Sequence, residues 1–343
     1  MLFTRRQVIQ AAAAAAAVSS FPICAAGAKK VRIAVGGQHL YYYVPLTVAY
    51  QLGYFKDEGL DVEIIDFQGG SKSLQAVVGG SADVVSGAFE HTINMQSRGQ
   101  RMTAFVLQGR APQVVFAVNK KTMPNYKGLA DLKGKNIGVT SPGSSSQVIA
   151  NYVLATAGLK ASDVSFIGVG SSSQAVAAVR TGQVDALANL DPVIAILQQD
   201  GLIEIAADTR KIEESDKLFK GPLVAGCLYA MNSYIEANPE IIAGLAAGIV
   251  RANQWLATAS GEDIVKVVPE SFFLGNKELY VKCFLENRPA LSKDGLIPDE
   301  APEISYQALQ SVNPKIAAAK IDTKVVYTNK YVEAALKRYP AKK

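Results

Sequence analysis

Short apolar runs alternate with stretches whose apolar side chains recur at helical spacing. Val31–Val35 is a β-rich run closed by Gly36-Gly37, and Tyr43–Leu52 then carries helical spacing up to Gly53-Tyr54-Phe55. Asp61–Ile65 alternates, Gly69-Gly70-Ser71 interrupts it, Leu74–Val78 returns to helical spacing, and Ala82–Val85 reads as strand again. Strand and helix in alternation predict a mostly parallel sheet flanked by helices, an α/β fold.

The same order recurs further along. Lys135–Val139 matches the first strand, Ser141-Pro142-Gly143-Ser144 takes the place of the first glycine loop, Gln147–Ala157 is helical, and Val164–Ile167 is the next strand before Gly170-Ser171-Ser172-Ser173. The match is tightest where Val77-Val78-Gly79-Gly80-Ser81-Ala82-Asp83-Val84 parallels Val179-Arg180-Thr181-Gly182-Gln183-Val184-Asp185-Ala186. A helix ending at a left-handed glycine, followed by a buried strand just past an aspartate, accounts for each copy. Two similar lobes are expected, with a ligand cleft between them.

In parallel α/β sheets ligands bind where strands end and helices begin, because free N–H groups and the positive helix end converge there. After the first strand, Gln38, His39, Tyr41 and Tyr42 offer polar tips and aromatic faces suited to a small organic solute, and of three consecutive tyrosines at least one serves packing. Gly70 and Ser71 follow the second strand, and Gly87 and Glu90 the third. The second half answers with Ser141, Gly143, Ser144 and Ser145, whose small size and hydroxyls beside a helix start suit a carboxylate or sulfonate, or equally plain N-capping. Ser171, Asn189 and Asp191 complete the set. Glu90 and Asp191 hold nearly equivalent positions, where a carboxylate pairs with a ligand amine or ring N–H, or else caps a helix.

Composition narrows the class. The chain is 49% hydrophobic and 19% charged, and its net charge of +5 is spread among acidic residues without a basic stripe, which argues against a nucleic-acid partner. Residues 1–28 read as a twin-arginine export signal: Thr4-Arg5-Arg6-Gln7, the block Ala11–Ala17, and the small-residue end Ala26-Gly27-Ala28. Phe21-Pro22-Ile23 before Cys24 lacks the small residue that lipidation calls for. Export leaves Cys227 and Cys283 either to pair or to pack as buried thiols. Only two histidines occur, His39 and His91, neither beside a second ligand at metal spacing. No nucleophile elbow, dinucleotide fingerprint or phosphate loop is present, so a non-enzyme without cofactor or metal is expected.

Two longer stretches carry a family resemblance. Ala49-Tyr50-Gln51-Leu52-Gly53-Tyr54-Phe55-Lys56-Asp57-Glu58-Gly59-Leu60-Asp61-Val62 and Asp131-Leu132-Lys133-Gly134-Lys135-Asn136-Ile137-Gly138-Val139 resemble segments of the nitrate/sulfonate/taurine and thiamine-precursor branch of ABC-transporter solute-binding proteins. Asp185–Pro192 and Tyr327–Val332 are similar to later segments of that family. The resemblance implies a type II periplasmic-binding-protein fold of two lobes, residues 29–118 with 224–343 and residues 119–223. It implies crossovers near Val118-Asn119 and Gly221–Leu223. It further implies a periplasmic monomer that closes on a solute by hinge rotation and delivers it to an ABC permease driven by a separate ATPase. The tyrosines and Glu90 favour an organic anion, such as a sulfonate, taurine-like compound or aromatic carboxylate. A thiamine-precursor-like pyrimidine, or a sensor docking on a signalling receptor, are the alternatives, and the cysteine-rich motif of the family's synthetic branch is missing.

Overall fold

A computed structural model describes residues 27–341, so the export signal expected over 1–28 lies almost wholly outside the described residues. Two five-stranded sheets organise the chain. Strands β1 (Lys29–Val35), β2 (Leu60–Asp66), β3 (Val84–Ala88), β4 (Met102–Leu107), β5 (Val115–Asn119), β6 (Asn136–Val139), β7 (Ser165–Gly168), β8 (Ala186–Asn189), β9 (Ile203–Asp208) and β10 (Gly226–Met231) are ordered β2-β1-β3-β10-β4 in the first sheet. The second sheet is ordered β7-β6-β8-β5-β9. Each is parallel except for one inserted antiparallel strand, β10 in the first and β5 in the second. β3, β4 and β5 are buried throughout their length, as continuous apolar strands covered on both faces should be.

The internal repeat has a structural cause. Asp83 takes the backbone N–H of Arg32 at 2.8 Å, and its own N–H donates to the Arg32 carbonyl. Asp185 does the same to Asn136, at 3.0 Å. In both halves the aspartate just ahead of one strand is therefore bonded to the strand beside it, and the register follows: Ile33 faces Val84, and Ile137 faces Ala186. The left-handed residue closing the preceding helix is Gly182 (φ 80°) in the second half, but Gly80 (φ 77°) rather than Gly79 in the first.

Strand β5 runs within the second sheet, so the first connection between sheets is segment 108–114, ahead of the Val118-Asn119 position expected for it. The return is segment 209–225. The two lie side by side: Gln113 N–H donates to the Thr209 carbonyl at 3.1 Å and Ala225 N–H to the Gly109 carbonyl at 3.1 Å. Gln113 takes the left-handed conformation (φ 58°) although it has a side chain, the kind of strained backbone that only surrounding structure maintains.

The C-terminal third is helical and packs on the first sheet. Its long helix Pro239–Thr258 buries a stripe including Leu245, Ile249 and Leu256, and helix Lys277–Asn287 reaches toward the second sheet. No helix among the described residues is long and apolar enough to cross a membrane. Cys227 and Cys283 are free, buried thiols.

Candidate functional site

The loops at the carboxyl ends of the two sheets meet. After β1, the Asp66 carboxylate accepts the N–H groups of Gly37 (2.8 Å) and Gln38 (3.0 Å), which folds the loop back over the sheet edge. His39 then spans to the other half, its Nε2 donating to the Ser171 carbonyl at 2.6 Å. Below it, Ser71 N–H donates to Ser144 Oγ at 3.0 Å, and the Ser71 hydroxyl bonds Ser141 Oγ at 2.7 Å and the Pro142 carbonyl at 2.8 Å. Glycine is required at two of these approaches. Gly37 (φ 103°) and Gly69 (φ 111°) both have left-handed backbones, and a Cβ on either would lie 2.3 Å from the Oγ of Ser171 or Ser141 respectively.

The three tyrosines form one turn of 3-10 helix, Tyr41–Tyr43, and point to different places. Tyr41 turns away from the cleft: its hydroxyl donates to the Tyr280 carbonyl and its ring lies 4.7 Å from that of Tyr280. Tyr42 and Tyr43, edge to face at 4.9 Å, are the two that line the cleft. The pair preferred on sequence, Tyr41 with Tyr42, is corrected to Tyr42 with Tyr43, because successive side chains of so tight a turn diverge.

Two small cavities lie behind these contacts. One, of about 20 Å³, is walled by Tyr42, Glu90, Ser145, Ile149, Tyr152, Phe219 and Leu223 among others. The second, of about 10 Å³, touches Tyr42, Tyr43, Gly70, His91, Thr140 and Ser145. Each is of the order of a single water. Admission of a solute therefore needs the facing loops to part. Ser145, the first residue of helix Ser145–Thr156, belongs to both walls, and the N-cap residue Ser144 makes no side-chain bond to that helix because its hydroxyl is engaged by Ser71 and Ser141.

Four polar atoms here are sealed from water without a partner: Tyr42 Oη, Glu90 Oε1, His91 Nε2 and Ser305 Oγ. Desolvation pushes the Glu90 carboxyl up to about 7, only partly opposed by a backbone N–H. Desolvation also takes His91 down to about 4, so its imidazole is neutral, with Nδ1 held by the Tyr229 hydroxyl at 2.6 Å. His91 and Tyr43 were not among the site residues read from the sequence. Their signal was adjacency, one beside Glu90 and the other ending the tyrosine run.

The remaining expected residues sort differently. Asp191 is 1% exposed and spent: it accepts Arg210 Nη1 at 3.1 Å, Asn287 Nδ2 at 2.8 Å and the N–H of Ala195 at 3.0 Å. The expectation that Asp191 pairs with a ligand amine is corrected, since all its directions are taken by the chain itself. Asn189 props the loop after β7 by donating to the Gly170 carbonyl. Gly87 makes room for Tyr229, whose hydroxyl would be 3.0 Å from a Cβ there. Gln38 bonds Thr47, and Gly143 turns the serine loop (φ 84°) on the exposed side. A roomier depression, about 870 Å³, lies elsewhere, between helices Val193–Gln199 and Lys277–Asn287. Its Arg210 is committed to Asp208 and Asp191, while Lys211, Glu278 and the loosely paired Lys282 and Glu286 also line it.

Known proteins share this architecture. A solved structure from Bordetella bronchiseptica RB50 is 51% identical, with TM-score 0.89 over 91% of this chain and 98% of that one. The alkanesulfonate-binding protein SsuA from Xanthomonas axonopodis pv. citri, bound to MOPS, is 21% identical at TM-score 0.67, covering 89% and 100%, which establishes the two-lobed periplasmic-binding-protein fold. A relative in Brucella abortus (strain 2308) is 27% identical over 79% of this chain and 80% of its own. The 4-amino-5-hydroxymethyl-2-methylpyrimidine phosphate synthase of Aspergillus parasiticus is 24% identical over 71% and 72%. The model of the NMT1-like family matches residues 26–268, well over half the sequence, and the chain belongs to that family.

Proposed function

We propose that this protein is an exported, periplasmic solute receptor that closes on a small organic anion and hands it to an ABC permease with a separate ATPase. The reading rests on one observation: loops from the carboxyl ends of both sheets touch directly, Ser71 to Ser144 and His39 to Ser171, around cavities walled by both halves. The likeness to SsuA, a protein that binds alkanesulfonates, supports the solute class.

Physically, a solute that contacts both halves favours the shut arrangement by its differential affinity for it. Segments 108–114 and 209–225 absorb the rotation. The sulfonate, carboxylate or similar group belongs at the start of helix Ser145–Thr156, where backbone N–H groups and the helix dipole favour negative charge.

The test is a thermal-shift screen of ethanesulfonate, taurine, nitrate, benzoate and 4-aminopyrimidine on the mature chain, repeated on Ser145→Leu. A solute at a hundredfold excess over its Kd stabilises the folded state by about 2.7 kcal/mol. Ser145→Leu fills both cavities and is expected to remove that shift while the protein still melts cooperatively. If no compound raises the melting temperature, or if Ser145→Leu responds like the wild type, the cleft is not the binding site.

A further inference from the structure

The polar groups of the cleft fall into two sets with opposite needs. The serine set is self-sufficient, since Ser71, Ser141 and Ser144 bond one another across the closure. The other set is not. Glu90 Oε1, Tyr42 Oη, His91 Nε2 and Ser305 Oγ belong to residues walling the cavities and have nothing to bond, and an unpaired buried polar atom destabilises the fold. Tyr42 is 3% exposed, so bulk water does not relieve it.

The chemistry of the missing partner follows from what surrounds Glu90. Tyr42 and Tyr43 face it from the turn after β1, Cys227 and Tyr229 from β10, and His91 adjoins it on its own helix. Burial pushes the phenols and the thiol up and holds His91 down near 4, so none of the five is positive at neutral pH. Neither cavity has a lysine or arginine in its wall. The rest of the larger wall is mostly apolar or aromatic, with Val148, Ile149, Tyr152, Phe219 and Leu223, and its other polar side chains are the uncharged hydroxyls of Ser145 and Ser305. An ionised carboxylate only accepts hydrogen bonds, and a buried one wants positive charge as well as a hydrogen. A solute hydroxyl supplies the hydrogen alone, whereas an ammonium or similar N–H group supplies both.

Granting the cleft reading above, on which this step rests, we propose that Glu90 selects the solute by accepting an N–H group from it. The solute is then an amino-bearing organic anion, with nitrogen at Glu90, body against Tyr152 and Phe219, and acidic group toward Ser145. Simple sulfonates, carboxylates and nitrate lack the end that Glu90 reads.

Two matched sets of probes test this. Taurine, 2-hydroxyethanesulfonate and ethanesulfonate differ only in bearing an amine, a hydroxyl or a hydrogen at one carbon, and 4-(aminomethyl)benzoate and 4-methylbenzoate repeat the contrast on a ring. Affinities are measured by calorimetry on the mature wild type, Glu90→Gln and Glu90→Leu, the second variant guarding against misfolding of the first. At least one amino probe should bind roughly tenfold tighter than its amine-free counterparts at about pH 8, where Glu90 is ionised, and less tightly at about pH 6. In both variants that preference should fall to within about twofold. Equal or better binding of the amine-free members, tighter binding at the lower pH, or a preference that survives both substitutions overturns the proposal. So does the failure of both amino probes to bind at about 10 mM. In each case the cleft reading itself stands if any compound binds the wild type and not Ser145→Leu, and falls if none does.

Discussion

Glu90 and Asp191 occupy like places in the two halves, each in the stretch that follows the third strand of its repeat and leads into a helix. Their surroundings are opposite. Asp191 receives a guanidinium, a side-chain amide and a backbone N–H, and it ties β8 to Arg210 and to helix Lys277–Asn287. Glu90 faces a cavity, and its Oε1 receives nothing. A repeated scaffold thus delivers two acids to one cleft, and distant residues decide their use. Arg210 and Asn287 turn Asp191 into a clasp between the halves, whereas Glu90 Oε1 has no such partner among the described residues.

The largest effect expected from breaking this contrast comes from Asp191→Ala. It leaves Asn287 Nδ2 with only the Cys283 carbonyl and removes one of the two carboxylates that hold the largely buried Arg210, so a loss of about 3 kcal/mol in urea denaturation is expected. A loss under about 1 kcal/mol would mean the clasp carries no net stability.

Glu90→Gln should act in the other direction and depend on pH. A carboxyl whose folded value is raised to about 7 binds its proton more tightly in the folded chain, so the stability it lends is complete below the unfolded value of 4.5 and is lost as pH rises through 7. The amide variant escapes that loss. It should match the wild type near pH 4 and exceed it by up to about 3 kcal/mol near pH 8. A difference that is flat with pH contradicts the buried, unpartnered carboxylate.

The smallest effects concern the paired aspartates of the repeat. Asp83→Ala removes one backbone and two side-chain bonds from Arg32, Asp185→Ala one backbone bond from Asn136, and each should cost about 1 kcal/mol. Burial tends to raise the Asp83 carboxyl, but the bonds from Arg32 outweigh it and hold it below its usual 3.8. Its contribution is therefore present above that value and lost as pH falls through the folded one, so its gap to wild type should close on acidification. Unequal costs at neutral pH would separate the Arg32 ion pair, which only the first half has, from the shared backbone bond.

The order of strands and helices around β1 to β3 and β6 to β8 was legible because each unit is local, with its period and its glycines close together in sequence. So was the Gly-x-x-Asp repeat, which marks a real bond in both halves. The place of β5 in the second sheet and the insertion of β10 between β3 and β4 were not, since an apolar run does not name the strand it will pair with. The same limit applied at the cleft. Nothing near Asp191 in sequence announces Asn287, and a run of identical tyrosines does not say which ring turns inward. The serine loop was legible as a cleft element but not as one whose hydroxyls grip the opposite loop.

The insertion of β10 also gives the two sheets different histories during synthesis. All five strands of the second come from one unbroken stretch, residues 115–208, whereas β4 of the first has no neighbour in its sheet until residues 226–231 arrive. A chain emerging amino end first thus has every partner for one sheet before the other can be closed, and a nascent fragment stopped short of β10 carries an unpaired hydrophobic edge for a chaperone to cover.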